Sequence, residues 1–300
     1  MPLQIVHHPD YDAGFATNHR FPMSKYPRLM RALLARGLAG PDALNVAEPA
    51  PPGWLKLAHA ADYVDQVISC TVPEKIEKEI GFPVDPRVSL RARLATGGTV
   101  LAAWLALRYG IACNTAGGSH HARRAQGAGF CTFNDVAVAS LVLLAEGAAK
   151  KILVVDLDVH QGDGTADILA ADPRVFTFSM HGDRNYPSRK IASDLDVALP
   201  DGTGDAAYVE RLASILPELS AQAPWDIVFY NAGVDVHAGD RLGRLALSDS
   251  GLRGRDEMVI RHFRGLGIPV CGVIGGGYST DVPALAARHA ILFEVASRYA

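Results

Sequence analysis

The 300-residue chain is poor in cysteine: Cys70, Cys113, Cys131 and Cys271 stand far apart, and no C-x-x-C pair occurs. That spacing excludes a disulfide-framed fold, and most of the thiols read as small buried apolar residues in a reducing compartment. Long apolar runs are also missing. The longest, Val136–Ala145, falls well short of the ~18 residues of a membrane span, so no membrane partner is expected. The opening MPLQIVHHPD lacks a charged start, an apolar stretch and a cleavage site, so the expectation is a cytoplasmic protein without a signal peptide. Excess charge is absent too. Lys+Arg number 29 against 32 Asp+Glu, a net charge of −3, which argues against direct binding of nucleic acid. Neither G-x-x-x-x-G-K-[ST] nor a helix-opening G-x-G-x-x-G is present, which speaks against a phosphate loop and a dinucleotide fold.

What is there is ordinary globular material: 49% apolar residues, enough to bury a large core. Five short Val- and Ile-rich runs read as strands covered on both faces: Ile111–Ala116, Ile152–Val155, Val175–Met180, Ile227–Tyr230 and Pro269–Ile274. Helical stretches precede, separate or follow them, at Val88–Arg108, Val136–Ala149, Ala206–Ala221, Leu252–Leu266 and Pro283–Tyr299, with Asn134 and Ser248 placed as N-caps. Alternating strands and helices predict an α/β fold, three layers around a mainly parallel sheet. No internal repeat or clean boundary appears, so residues 1–300 read as one domain. In such sheets, sites form at the carboxyl ends of strands.

Four segments after strands could carry chemistry. In ILVVDLDVHQGDGT, Val155, Leu157 and Val159 alternate with Asp156, Asp158 and His160. A strand of period two puts the polar three on one face, where burial is costly unless a cation neutralises them. One such residue alone would read as a cap or turn; three together point to a divalent metal. NAGVDVHAGDRLG offers Asp235, His237 and Asp240 as further ligands for an oxygen-rich site with an open position. GGSHHARRAQGAGFCTFND places His120 and His121 after a glycine pair, fit for a general base and an electrostatic partner, and lets Phe130 project from a tight loop. GGGYS presents Tyr278 as a phenol able to donate to an oxyanion.

Together these segments resemble the histone deacetylase family of the arginase/deacetylase fold: GGSHHA (Gly117–Ala122), GFCTFND (Gly129–Asp135), DLDVHQGDGT (Asp156–Thr165), GVDVHAGD (Gly233–Asp240) and GGGY (Gly275–Tyr278). Weaker similarity runs from HPDY at His8, through HRFP and KYPRL, almost to the C-terminus, and YNAGVDVHAGDRLG followed by LALS is most similar to the class IV-like branch with bacterial members. The resemblance implies that Asp158, His160 and Asp240 hold zinc (or ferrous iron). It makes His120 and His121 the catalytic histidines, backed by Asp156 and Asp163, and Tyr278 the residue that polarises the carbonyl. Phe130 and Tyr186 would wall an acyl-lysine channel, with Gly129, Gly276 and Gly277 lining it. A structural K+ would sit on Asp156, Asp158, His160, Ser179 and Met180. By the match Asp235 and His237 are not ligands, and Asp235 falls to a supporting or turn position. Two departures, Tyr186 where Phe is common and Ser188 where Gly is usual, bear on substrate choice rather than chemistry.

The activity implied is hydrolysis of N-acyl-lysine in a protein or peptide, the acyl group being acetyl or longer. The alternative is a small N-acyl amine, such as an acetylpolyamine, which would call for acids at the channel mouth. An arginase-like dimanganese site would need more ligands than Asp158, His160 and Asp240 supply.

Overall fold

In the computed structural model, which describes residues 1–300, the Val- and Ile-rich runs form the middle of an eight-stranded sheet in which every pairing is parallel. The strands are β1 (Gln4–His7), β2 (Leu44–Val46), β3 (Ile111–Asn114), β4 (Ile152–Asp156), β5 (Val175–Gly182), β6 (Leu195–Leu199), β7 (Ile227–Asn231) and β8 (Val270–Val273). Their spatial order is β2-β1-β3-β8-β7-β4-β5-β6. All residues of β3, β4, β7 and β8 are buried, as helices on both faces require.

The helices are α1 (Lys25–Ala35), α2 (Pro52–Ala58), α3 (Ala61–Ser69), α4 (Glu74–Ile80), α5 (Pro86–Tyr109), α6 (Asp135–Ala145), α7 (Asp163–Leu169), α8 (Asp205–Ala221), α9 (Asp249–Gly265) and α10 (Val282–Ala296). They complete a single-domain α/β/α architecture, in which α5 packs on β1, β3 and β8, and α10 packs on α1, α9 and β3. No helix is long and apolar enough to cross a membrane. The five expected strands and five expected helices all form, with ends shifted by a few residues. Strands β1, β2 and β6 and helices α1 to α4 and α7 add to them.

The strands that precede the four chemistry-bearing segments, β3, β8, β7 and β4, are consecutive in the sheet. Because all run the same way, the loops that follow them emerge side by side on one edge. This is how residues 120, 158, 235 and 278 come to share one neighbourhood, despite their separation along the chain.

Local chemistry fixes the loop ends. Asn134 Oδ1 accepts the Ala137 N–H and caps α6, as expected, while its Nδ2 donates to Ala122 O (3.3 Å) and Thr165 Oγ1 (3.0 Å). One buried amide therefore ties α6, α7 and the loop behind the tandem histidines. Ser248 caps α9 through the Gly251 N–H. The change Asn134→Ala is expected to lower stability by about 2 kcal/mol, at the upper end for a lost cap because other partners are stranded too. A shifted denaturation midpoint at unchanged slope in urea would show it.

Candidate metal centre and active site

Strand β4 ends at Asp156, earlier than the alternation of Asp156, Asp158 and His160 suggests. Beyond it the chain is held by its own carboxylates rather than by a ladder. Asp156 Oδ1 accepts the Asp158 N–H (3.1 Å), and Asp158 Oδ1 accepts the His160 N–H (3.0 Å). These turns aim the side chains of Asp158 and His160 into the crevice. There Asp158, His160 and Asp235 form a buried group whose ligand atoms all lie within 4.8 Å of one another. His160 Nδ1 is 3.0 Å from both Asp158 Oδ1 and Asp235 Oδ2.

The compact group thus contains Asp235, which the sequence reading set aside, and does not contain Asp240. Asp235 Oδ1 accepts the Val159 N–H (2.9 Å), so the loop after β7 supports the loop after β4. Asp240 is half-buried beside it; Oδ1 accepts the N–H groups of Leu242 and Gly243, and Oδ2 accepts the Tyr278 N–H at 2.7 Å. His237 lies outside, its Nε2 3.2 Å from Asp249 Oδ1.

The donor set suits a divalent cation. Two carboxylates and an imidazole converge at buried positions, and burial together with the Asp158 charge pushes Asp235 up to about 7. A bound dication would relieve that repulsion, and mixed oxygen and nitrogen donors are what zinc or iron accepts. Glycine closes the site from the β8 side. Gly276 donates its N–H to Asp158 Oδ2 (2.7 Å), and a Cβ there would stand 2.1 Å from Asp235 Oδ2.

The tandem histidines are each tied to an acid. His120 Nδ1 is 2.7 Å from Asp156 Oδ2, and His121 Nδ1 is 2.6 Å from Asp163 Oδ1. Both rings are buried, which disfavours charge. For His120 the carboxylates of Asp156 and Asp158 outweigh burial and push it up to about 9. For His121 burial and the neighbouring His120 prevail and push it down to about 4. Asp163 also receives Arg123, Nη2 at 2.7 Å, and its carboxyl is held below its ordinary range despite burial, chiefly by His121 and Arg123. His120 Nε2 reaches within 3.7 Å of Asp158 Oδ1, so the histidines face the carboxylate group.

A cavity of about 410 Å³ leads from the surface to this floor, where His121, His160 and Tyr278 meet the walls Phe130, Tyr186 and Leu242. The Tyr278 ring lies 6.0 Å from that of His160. Burial first, and the nearby carboxylates next, raise its hydroxyl well above the usual phenol range, so it is a proton donor at neutral pH. Phe130 adopts a left-handed backbone (φ 67), a strained state for an aromatic, and the Gly129 N–H and Phe130 N–H donate to Glu79 O and Ile80 O at the end of α4. Tyr186 is 40% exposed and stands at the lip, its ring 4.7 Å from that of His121. Gly276 borders a small adjoining hollow, whereas Gly277 packs behind it against Leu285, Val234 and His289. Ser179 is the register partner of Asp156, with Met180 next to it on β5; the Ser179 Oγ is 3.0 Å from His181 Nδ1.

Several supports of the site carry no motif. Arg255, fully buried, donates to the carbonyls of Leu157, Ala232 and Gly233 and so joins the loops after β4 and β7. Lys25, also fully buried, donates to Gly275 O (3.1 Å). Asn231 Nδ2 donates to Asp156 Oδ1 (3.0 Å). Arg255 also pairs with its neighbour Asp256 at 2.9 Å, and neither it nor Lys25 stands out in the sequence from an ordinary charged helix residue.

The fold and the buried carboxylate–imidazole centre define a metal-dependent hydrolase. A family model described as histone deacetylase domain matches residues 19–293, and the chain belongs to that family. It is 46% identical over 296 residues to an uncharacterized protein of Picosynechococcus sp., covering 99% of both. It is 31% identical to histone deacetylase 2 of Arabidopsis thaliana, with 92% of this chain and 74% of that protein covered. Among solved structures it resembles an HDAC homolog complexed with SAHA, at TM-score 0.83 and 26% identity, covering 99% of this chain and 84% of that one. An HDAC homolog from Aquifex aeolicus gives TM-score 0.82 at the same identity and coverage.

Gly276→Ala is expected to weaken metal retention roughly tenfold to a hundredfold, the range seen when groups around a ligand shell are displaced. Metal content after dialysis against a graded chelator measures this directly.

Proposed function

We propose that the chain hydrolyses N-acyl-lysine in proteins or peptides, releasing acetate or a longer carboxylate and the free amine. The observation that carries this is the pair of acid-backed histidines beside Asp158, His160 and Tyr278 at the foot of an aromatic-walled cavity. Phe130 and Tyr186 suit an aliphatic lysine arm and leave its amide as the one group needing polar partners. On the motif YNAGVDVHAGDRLG followed by LALS, we place it in the class IV-like branch.

Asp158 and His160 would hold Zn2+ or Fe2+, with Asp240 as third arm beside the cavity and Asp235 steadying His160 and the loop after β4. When bound, the ion supplies an acidified water and polarises the amide carbonyl. The remaining chemistry belongs to the side chains. His121, its Nδ1 committed to Asp163, is neutral at pH 7 and accepts the water proton at Nε2, then returns it to the leaving amine. The Asp163 carboxylate stabilises the imidazolium formed between those transfers. His120, held by Asp156, carries positive charge beside the reacting centre. Tyr278 donates its hydroxyl to the developing oxyanion. A K+ on Asp156, Ser179 and the backbone of Asp158, His160 and Met180 fits the adjacency of β4 and β5.

Two experiments test the reading. In enzyme stripped by chelator and reloaded with Zn2+, Tyr278→Phe is expected to cut kcat on an acyl-lysine peptide by about a hundredfold while KM changes little. Equal turnover would remove Tyr278 from the reaction. For the ligand set, Asp240→Asn is expected to empty the site at zinc concentrations that still load Asp235→Asn. The reverse order in metal analysis would make Asp235 the third ligand.

A further inference from the structure

The mouth of the cavity carries a charge pattern that the chemistry at its floor does not use. Four cations from separate segments border it: Arg20 before α1, Lys78 on α4, Arg184 after β5 and Arg244 after β7. The one acid lining the same cavity is Glu79. The acids that pair with these cations stand outside the cavity lining. Glu74 holds Lys78 at 2.7 Å, and Asp201 holds Arg244 at 3.2 Å and Arg184 at 4.0 Å. The paired side chains remain open to solvent, 74% exposed for Lys78, 76% for Arg184 and 55% for Arg244. The lining itself thus carries four cations against one acid, in a chain whose net charge is −3.

The walls below the rim, Phe130, Tyr186 and Leu242, carry no formal charge. A substrate that places its amide against His121 and Tyr278 must leave its remainder among the arginines. A guanidinium presents a fork that fits a carboxylate, and a cleft of one sign concentrates ligands of the other. A polyamine would instead bring ammonium groups to a cationic rim.

We propose that this rim selects N-acyl-lysines flanked by Asp or Glu, so that the substrate class is acidic peptide segments, with Arg20 and Arg184 the principal determinants. The proposal rests on the acyl-amide reading of the floor, and its test separates the two. Three fluorescent peptides share one acetyl-lysine and differ only in flanking Asp, Ser or Lys. Their binding to the full chain is measured by anisotropy at low salt and at about 0.5 M salt, where exposed charges are largely screened. The acidic peptide should bind about tenfold tighter than the neutral one at low salt, and the basic one weaker than either. High salt should close most of that gap, and the double variant Arg20→Gln, Arg184→Gln should at least halve it. Equal or reversed order, tighter binding of an N-acetylated polyamine, or a gap indifferent to salt and variant overturns the proposal. Turnover by Zn2+-loaded enzyme is followed in parallel. If the binding order holds but no peptide is hydrolysed, the acyl-amide reading falls and the charge preference stands.

Discussion

Buried negative charge is the constraint around which this molecule is arranged. Asp156, Asp158, Asp163 and Asp235 are each at most 3% exposed, within one crevice. Each buried carboxylate would cost several kcal/mol if left alone. None is. Asp163 takes Arg123 and His121, Asp156 takes His120, Asn231 and a backbone N–H, and Asp235 and Asp158 share His160. The N–H groups of Asp158, Val159, His160 and Gly276 fill further lone pairs, since the ladder has stopped and they are free to turn inward. Asp158 and Asp235 together still bring two carboxylates to one imidazole, an excess of negative charge that a dication held nearby would offset.

That arrangement explains which parts were legible in the sequence. The central strands were, because burial on both faces demands unbroken Val and Ile. Strand β6 was not: LDVAL at an edge alternates exposed and buried residues and carries an acid. Helix α7, DGTADIL, begins with Asp and Gly and has weak intrinsic preference; Asn134, through Thr165, and its packing on β5 hold it. The histidines, Asp158, His160 and Tyr278 were legible because each follows a strand. The relation of Asp235 to Asp240 was not, for both lie in one irregular loop without a period. Spacing could not show that Asp235 accepts the Val159 N–H while Asp240 turns to Tyr278.

Supports such as Arg255 are illegible for a different reason. Arg255 falls on the buried face of α9, where a charge breaks the apolar stripe. Its purpose appears only when the strands are in order, because the carbonyls of Leu157, Ala232 and Gly233 come from two loops that are distant in sequence and adjacent in the sheet. Rigidity at this junction matters more than the number of bonds. A donor set spaced by hydrogen bonds near 3.0 Å tolerates little drift before the ligand atoms separate.

Wall and rim are linked through α4. Its last carbonyls would have no partner within the helix, and two of them, Glu79 O and Ile80 O, accept the N–H groups of Gly129 and Phe130. Those bonds offset the strain of the left-handed Phe130, which costs about 1–3 kcal/mol. The same helix turn sets Lys78 and Glu79 at the mouth. One short element thus sets the Phe130 wall of the passage and two of the charges above it, while the carboxylates below are fixed by the loops that leave the sheet.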